Sequence, residues 1–302
     1  MRLALWHEAF SARGPGLLLR DLERADERLV RLAGHLKQSD AEVIVLTKFD
    51  YDAGGAALTA LVELIGEFAY PYRLSLKSNA GIPTGQDLDA DGRLGEPEDA
   101  QAYGRYPGQG GIAILSKFAI VDGDVRSYND LLWQDLPNML MTDQDTGRDI
   151  QRLSSGGHWR VPLELPDGTV LTVLSGHSNT PVFDGPDDRN GRRNRDELRL
   201  WEQMLDTEQL APFVVMANTN LDPNGGEGYR DAMAAFLNRT DLQDPLSGIP
   251  TAHWERPGPL RVSYILPSSE IEVTHAEVLP LLPDTTHNLI LMTIQTADTP
   301  LP

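Results

Sequence analysis

Three short polar segments have the residue types and positions expected of a chemical site. Ser175-Gly176-His177 and Asn218-Thr219-Asn220 each follow an apolar run, and Thr285-Thr286-His287 precedes one. Polar side chains at the ends of buried strands are a common way to place functional groups in a crevice. Imidazole and amide groups in such a crevice can bind oxyanions or take part in proton transfer. Each segment alone is equally compatible with an ordinary turn, so only their combination predicts a site.

A second candidate site is a run of acidic residues with the spacing of a calcium loop. Residues 87–98 match the pattern D-x-D-x-D-G-x5-E, in which carboxylates and one backbone carbonyl surround the ion. The predicted ligands are Asp87, Asp89, Asp91, the carbonyl of Arg93, and Glu98. No pair of EF-hand helices flanks the loop, and Pro97 lies inside it. We therefore expect an isolated structural Ca²⁺ site remote from the strand ends, and the alternative is a solvated acidic loop.

Alternating strand and helix patterns must position these groups. Short apolar runs predict strands at 2–7, 43–46, 111–115, 158–165, 169–176, 212–217, 261–266, 271–276 and 289–294. Helical spacing predicts helices at 24–37, 56–68 and 193–205. Residues 78–110 form a long, polar, Gly-rich and acidic loop, and loops of that length are usually functional or held by an ion. The simplest organisation is a single α/β domain over residues 1–302.

The composition limits the class of partner. The 302 residues contain 45 Asp and Glu against 26 Lys and Arg, for a net charge of −19. We do not expect non-specific nucleic-acid binding by this acidic protein, because it requires a positive surface. The absence of cysteine excludes disulfides, zinc–thiolate sites and cysteine nucleophiles. No apolar run is long enough to span a membrane.

The N-terminal residues bear on the cellular compartment. Residues 1–6 read directly as a strand, without the charged and apolar regions of a secretory signal. We therefore expect either a cytoplasmic protein, or a periplasmic or secreted one from which a signal peptide has been removed. The absence of cysteine is compatible with both.

Three longer motifs resemble the endonuclease/exonuclease/phosphatase family, which includes DNase I-like nucleases and inositol phosphatases. They are Phe49–Asp52, Gly108–Ser116 and Thr180–Asn194, of which the last is long and specific. The resemblance extends over nearly the whole chain and looks closest to a bacterial branch of the family. It implies a DNase I-like fold, a four-layer α-β-β-α sandwich of two packed mixed sheets with helices outside.

The acidic catalytic pattern that this resemblance implies is absent. Family enzymes hold one or two divalent cations with carboxylates, and a His–Asp pair activates water or stabilises the phosphoryl group. The positions that match acidic residues of the family here carry Lys48, Arg160, Asn218, Ser263 and Thr286. His7 stands where the first strand normally ends in Asn, whereas His177, Asn220 and His287 match the family pattern.

These replacements argue against divalent-metal chemistry. Mg²⁺ and Ca²⁺ bind oxygen ligands, preferably carboxylates. A divalent ion about 4 Å from the Lys48 ammonium would be repelled by roughly 8 kcal/mol at an effective dielectric constant of about 20. Asn218 cannot act as a general base, and Ser263 and Thr286 cannot hold an imidazolium as a carboxylate does. We therefore predict a pseudoenzyme without catalytic Mg²⁺, which acts by binding or as the partner subunit of another protein.

The basic residues that remain predict a pocket for an anion such as phosphate, held without a metal. The predicted anion-binding residues are Lys48, Arg160, His177 and His287, with His7 and His158 nearby. The alternative for Lys48 and Arg160 is that they pair with acids such as Glu8 or Asp50.

The opposing hypothesis is an active phosphodiesterase or phosphatase with an altered site that uses His7, His177 and His287. A Mn²⁺ ion bound among His7, Asn218, Asn220 and His287 would favour this hypothesis, and an anion in the pocket would favour the pseudoenzyme. The sequence is compatible with both natural divergence and engineered replacement at these positions.

Overall fold

The strands of the protein are short apolar runs bounded by turns, and its helices carry one apolar face. The computed structural model describes residues 1–8, 10–66, 68–210 and 212–295. In these residues the strands are β1 (Arg2–Trp6), β2 (Val43–Phe49), β3 (Tyr72–Leu74), β4 (Gly111–Ser116), β5 (Ala119–Ile120), β6 (Arg126–Ser127), β7 (Gly157–Glu164), β8 (Val170–His177), β9 (Phe213–Asn218), β10 (Ala252–His253), β11 (Pro259–Leu260), β12 (Ser263–Pro267), β13 (Glu272–Val278) and β14 (Ile290–Gln295). The α-helices are α1 (Leu17–Glu23), α2 (Glu27–Gln38), α3 (Ala56–Ile65), α4 (Arg189–Thr207) and α5 (Arg230–Leu237).

The long strands form two mixed sheets. The first has the order β13-β14-β1-β2-β4-β3, and the second has the order β12-β9-β8-β7-β5, with β6 also paired to β7. β1 pairs in parallel with β2, and β8 pairs in parallel with β9. The other strand pairs are antiparallel, including the small β10-β11 ribbon.

Alternating side chains of the strands divide the interior into three apolar clusters. In β1, Leu3 and Leu5 enter the cluster between the two sheets, whereas Ala4 and Trp6 enter the cluster under α1, α2 and α3. The third cluster lies between the second sheet and the helices α4 and α5, and Trp201 of α4 is part of it. This arrangement confirms the four-layer α-β-β-α sandwich.

Among the described residues, seven short strands and α-helices were not expected from the sequence pattern, namely α1, α5, β3, β5, β6, β10 and β11. α1 has only seven residues and begins after a left-handed Gly16 that offers no side-chain cap, so it lacks the usual start signal. In contrast, Asp26 caps α2 by accepting hydrogen bonds from the amides of Arg28 and Leu29. Among the described residues, no helix has the length and apolar character needed to cross a membrane.

Strand direction brings several loops to one end of the sandwich. β1 and β2 end there because they are parallel, and β14 begins there because Leu5 of β1 lies opposite Ile290. In the second sheet β8 and β9 end together, and Ser263 at the start of β12 lies opposite Asn218. The polar segments that the sequence places at strand ends therefore meet at this end.

Candidate functional site

Three imidazole rings from different parts of the chain pack together at this end of the sandwich. His7 follows β1, His177 ends β8, and His287 precedes β14. The ring centroid of His7 lies 4.8 Å from that of His177 and 4.4 Å from that of His287. We call these three residues the histidine cluster. His7 and His287 are buried, and His177 is half-buried.

The histidine cluster is held in its neutral form. Burial lowers the pKa of His177 to about 4 and that of His287 to about 3. The pKa of His7 is also well below its ordinary value, because of burial and then the charges of His287, His177 and Lys48. Removal of an imidazolium from water disfavours its charged form, and neighbouring cations add to this effect.

Hydrogen bonds to the backbone and to a hydroxyl orient two of the rings. Nδ1 of His177 lies 2.9 Å from the carbonyl oxygen of Gly110, and Nδ1 of His7 lies 2.9 Å from Oγ1 of Thr47. Neither Thr47 nor Gly110 was expected to take part. No sequence signal distinguishes a hydroxyl or a carbonyl that is used in this way.

Lys48 supplies the positive charge of the site. Its side chain is half-buried, and its charge lowers the pKa of all three clustered histidines. No carboxylate of the described residues forms a salt bridge with it. Of the two acids considered as its partners, Glu8 pairs with Arg28 at 2.8 Å. The Asp50 carboxylate accepts hydrogen bonds from the Ala12 and Gly110 amides and the Tyr106 hydroxyl.

The amide and hydroxyl residues of the site satisfy one another. The Ser263 hydroxyl donates to Oδ1 of Asn218 at 3.0 Å, and Nδ2 of Asn218 donates to Oδ1 of Asn220 at 2.9 Å. Nδ2 of Asn220 donates in turn to the Ser178 carbonyl at 2.8 Å. This chain of hydrogen bonds organises the ends of β8, β9 and β12, and it contains no carboxylate.

His287 has no carboxylate partner in this arrangement. Its Nδ1 atom is buried and has no hydrogen-bond partner. The Thr286 side chain is exposed, and the hydroxyl of Ser263 is bonded to Asn218. The edge of Trp254 packs against the ring, with centroids 5.1 Å apart. Neither Ser263 nor Thr286 therefore supplies a group that could stabilise an imidazolium at position 287.

Arg160 does not belong to the anion pocket, and its assignment there is corrected. It lies within β7, where its guanidinium forms a 3.0 Å salt bridge with Glu208 just after α4. This supports the alternative that Arg160 pairs with an acid, although the acid is not one of those considered. His158 also faces away from the pocket, because its ring packs on Trp201 and its Nδ1 lies 2.7 Å from the Ser154 hydroxyl.

The acidic loop gathers a set of carboxylates that differs from the set its spacing predicts. Asp87, Asp89 and Asp99 have oxygen atoms within 4.8 Å of one another, whereas the side chain of Glu98 is exposed. Asp99 replaces Glu98 because its Oδ1 accepts from the Leu88 amide at 2.8 Å, which draws it into the loop.

Asp91 does not join this group of carboxylates. Its Oδ1 accepts a hydrogen bond from the amide of Arg93 at 2.8 Å, and the Arg93 guanidinium lies 3.3 Å from Glu96. Ca²⁺ binding by the loop stays a prediction.

A buried polar network on α4 positions the loops around the site. Glu197 accepts hydrogen bonds from the amides of Ser155 (2.6 Å) and Asn179 (2.5 Å), and burial raises its pKa to about 7. Arg193 donates to the carbonyls of Leu153 and Arg152. We call the following residues the α4 network: Arg193, Asn194, Asp196 and Glu197.

The α4 network continues into the neighbouring loops. Asn194 donates to the carbonyls of Asn179 and Thr219, and Asp196 accepts from Nε1 of Trp133.

The donor atoms of the site do not suit a divalent cation of the Mg²⁺ or Ca²⁺ type, which binds oxygen. The histidine cluster offers nitrogen, and the oxygens of Asn218, Asn220 and Ser263 are used in hydrogen bonds. Among the described residues, the three clustered histidines do not form a group whose ligand atoms all lie within 4.8 Å. The arrangement can instead bind an anion beside Lys48.

Comparison with known proteins gives a family and a fold. A sequence model described as the Endonuclease/Exonuclease/phosphatase family matches residues 10–287. Among curated protein sequences, none matches the chain.

Several solved structures are similar. An endonuclease/exonuclease/phosphatase from Beutenbergia cavernae superimposes with a TM-score of 0.65 at 17% identity, over 98% of this chain and 71% of that chain. The mannosyl-6-phosphatase Bt3783 of Bacteroides thetaiotaomicron has a TM-score of 0.57 at 11% identity, over 98% of this chain and 100% of that chain. The human Nocturnin catalytic domain, solved with a bound sulfate anion, has a TM-score of 0.58 at 14% identity, over 98% and 93% of the two chains.

Proposed function

We propose that this chain, which belongs to the Endonuclease/Exonuclease/phosphatase family, is a pseudoenzyme of that family. In this proposal the strand-end site binds an oxyanion without a divalent metal. One observation carries this proposal. At the strand ends where family enzymes are expected to hold carboxylates, this chain packs three neutral imidazoles beside Lys48. The bound sulfate of the Nocturnin structure is compatible with an anion site in this fold.

The electrostatics of the site favour an anion over a cation. Lys48 is half-buried and without a salt bridge among the described residues, so its charge is not neutralised by a fixed partner. Hydrogen bonds between a cationic donor and an oxyanion are stronger than those between neutral groups. The same charge opposes a divalent cation, which would also lack carboxylate ligands.

A hydrolysis assay tests the absence of metal-dependent catalysis. We expect no turnover of a generic aryl phosphodiester or aryl phosphate by the wild-type chain with Mg²⁺, Mn²⁺ or Ca²⁺. Robust turnover that is abolished by His177→Ala would contradict the proposal. It would establish the second candidate, a hydrolase that uses the histidine cluster, which the phosphatase among the structural neighbours favours by analogy.

A reversion series sharpens this test. The variant Lys48→Glu, Asn218→Asp, Ser263→Asp introduces a carboxylate beside the histidine cluster and two at positions that are hydrogen-bonded to each other. We expect it to bind Mn²⁺ more tightly than the wild type does. Adding Arg160→Asp should give no further gain in Mn²⁺ affinity, because that side chain points to Glu208, and it therefore serves as the matched control.

A further inference from the structure

The tautomer of His177 is set by a backbone carbonyl. A carbonyl oxygen only accepts hydrogen bonds, so the Nδ1 atom that faces Gly110 at 2.9 Å must carry the ring proton. In the neutral ring the opposite nitrogen, Nε2, therefore presents a lone pair. No described residue hydrogen-bonds Nε2, and the side chain is only half-buried, so this acceptor is open to a ligand.

The neighbouring backbone holds the ring in this orientation. A Cβ atom placed on Gly156 would lie only 2.2 Å from Nδ1 of His177, which shows how closely that backbone packs against the ring. The Gly156 amide also donates to the His177 carbonyl at 2.9 Å. Turning the ring over would present a C–H group to the Gly110 carbonyl and lose its hydrogen bond. The open lone pair is thus a fixed feature of the site.

The groups around His177 are cationic or neutral. Lys48 lies on β2, His7 and His287 belong to the histidine cluster, and His158 on β7 packs on Trp201 with its pKa lowered to about 3 by burial. The nearby carboxylate of Asp50 is occupied by its three hydrogen bonds. No carboxylate of the described residues is therefore placed to hold a proton on Nε2.

We propose that this site selects oxyanions that carry a dissociable proton, namely hydrogen phosphate and phosphomonoester monoanions, over sulfate and phosphodiesters. The proposal rests on the proposed function and names its ligand class. The P–O–H group of such an anion donates to Nε2 of His177, while Lys48 balances the negative charge. Sulfate and phosphodiesters have no proton to donate, so one of their oxygens would face the lone pair and leave it unpaired.

The test compares four ligands with the wild-type chain: inorganic phosphate, phenyl phosphate, sulfate and dimethyl phosphate. Affinities are measured by calorimetry at pH 6 and pH 8 and at constant ionic strength. At pH 8 we expect sulfate and dimethyl phosphate to bind about tenfold to a hundredfold more weakly than phosphate. Equal affinity for phosphate and sulfate at pH 8 would overturn the proposal.

Phenyl phosphate provides an internal control because its last proton dissociates near pH 6, as in other phosphomonoesters. Inorganic phosphate keeps one proton at pH 8, whereas phenyl phosphate does not. We therefore expect the affinity for phenyl phosphate, but not that for phosphate, to fall about tenfold per pH unit above pH 6. An unchanged affinity for phenyl phosphate between pH 6 and pH 8 would also count against the proposal.

A variant and a spectroscopic measurement locate the selectivity. His177→Gln can turn an amide N–H toward the ligand, so the preference for phosphate over sulfate should drop below about threefold. His275→Gln, an exposed histidine on β13, should keep the wild-type preference. Imidazole ¹⁵N shifts of the wild-type protein report the Nε2 lone pair directly. If the ligand-free wild-type protein carried the His177 proton on Nε2, the proposal would be contradicted. This measurement does not depend on whether the His177→Gln variant folds.

The outcomes separate this inference from the proposed function. If none of the four anions binds at pH 6 or pH 8, the oxyanion site itself is wrong. If phosphate and sulfate both bind and no selectivity is seen, the oxyanion site stands and only the inferred ligand class is wrong.

Discussion

The α4 network and the histidine cluster both bury titratable side chains next to the same strand end, yet they give those side chains different hydrogen-bond partners. Glu197 receives two backbone N–H groups, and Arg193 lies one turn away on the same helix face. Within the described part of the chain no carboxylate bonds to the histidine cluster, and burial beside Lys48 keeps its rings neutral. Burial disfavours the charged form in both regions, since it raises the pKa of Glu197 to about 7 and lowers that of His177 to about 4. The difference lies in the partners: fixed N–H donors offset part of the cost of burying Glu197, whereas the rings of the histidine cluster avoid this cost by staying neutral.

The largest effect is expected from breaking the α4 network. Glu197→Ala leaves the amides of Ser155 and Asn179 without an acceptor and removes the carboxyl group beside Arg193. We expect a loss of about 3 to 5 kcal/mol in the free energy of unfolding, measured by urea denaturation. The control is Glu202→Ala, which removes only a long surface contact with Arg199 on the same helix and should cost less than about 1 kcal/mol. Similar losses of unfolding free energy in both variants would show that the buried hydrogen bonds of Glu197 do not stabilise the fold more than a surface contact does.

The next effect is the pH dependence of the free energy of unfolding. The histidine cluster and Glu197 should change it in opposite directions as the pH rises. The unfolded chain binds more protons than the folded histidine cluster between pH 6.5 and pH 4, because the pKa is about 4 for His177 and about 3 for His287. Stability should therefore fall as pH falls through this window, by up to about 1.4 kcal/mol per pH unit for each linked group. Glu197, with its pKa raised to about 7, contributes stability that is present below pH 4.5 and is lost as pH rises through 7.

Urea unfolding between pH 4.5 and pH 8 measures this balance. The three histidines of the cluster, together with His158, whose pKa burial lowers to about 3, outweigh one glutamate. We therefore expect the wild type to be more stable at pH 7 than at pH 5. His287→Gln should reduce the slope between pH 5 and pH 6 by about one proton. The exposed His275→Gln should leave the slope unchanged. An unaltered slope in His287→Gln would contradict the neutral state that we assign to that ring.

A smaller effect is expected from removing the charge of Lys48. Lys48→Met should weaken phosphate binding about tenfold, since a charge-assisted hydrogen bond contributes roughly 1.5 to 3 kcal/mol and some of it is recovered by water. It should also raise the pKa of His177, which can be followed by NMR titration. Lys77→Met, at an exposed position, is the matched control. Unchanged phosphate affinity in Lys48→Met would place the anion elsewhere.

The smallest effect concerns the acidic loop. If the loop binds Ca²⁺, millimolar Ca²⁺ should raise the melting temperature by about 1 to 3 °C relative to chelator. Asp99→Asn should abolish the shift and Glu98→Gln should retain it, because Asp99 and not Glu98 lies beside Asp87. A melting temperature that is the same with Ca²⁺ and with chelator would show that the loop is not a calcium site.

Local patterns were sufficient for most of the fold and for part of the site. The apolar runs that became β1, β2, β8 and β9 are continuous because both faces of these strands are covered, and their polar ends were correctly expected to meet. The short helices α1 and α5 were missed because seven or eight residues carry little periodicity. Arg160 was misplaced because spacing along a strand does not reveal an acid that arrives from another element, here Glu208.

The family and the layered α/β architecture could be predicted from the sequence alone, because both depend on residue identity and on local periodicity. Which of the candidate site residues meet could be seen only in the folded chain. There His7, His177 and His287 pack together from distant segments, and Lys48 forms no salt bridge with any described residue. In the acidic loop Asp99, and not Glu98, lies beside Asp87 and Asp89. The carbonyl of Gly110 selects the tautomer of His177, and a backbone carbonyl has no signature in a sequence. Desolvation and hydrogen-bond geometry are properties of the assembled chain, and they set the chemistry of the site.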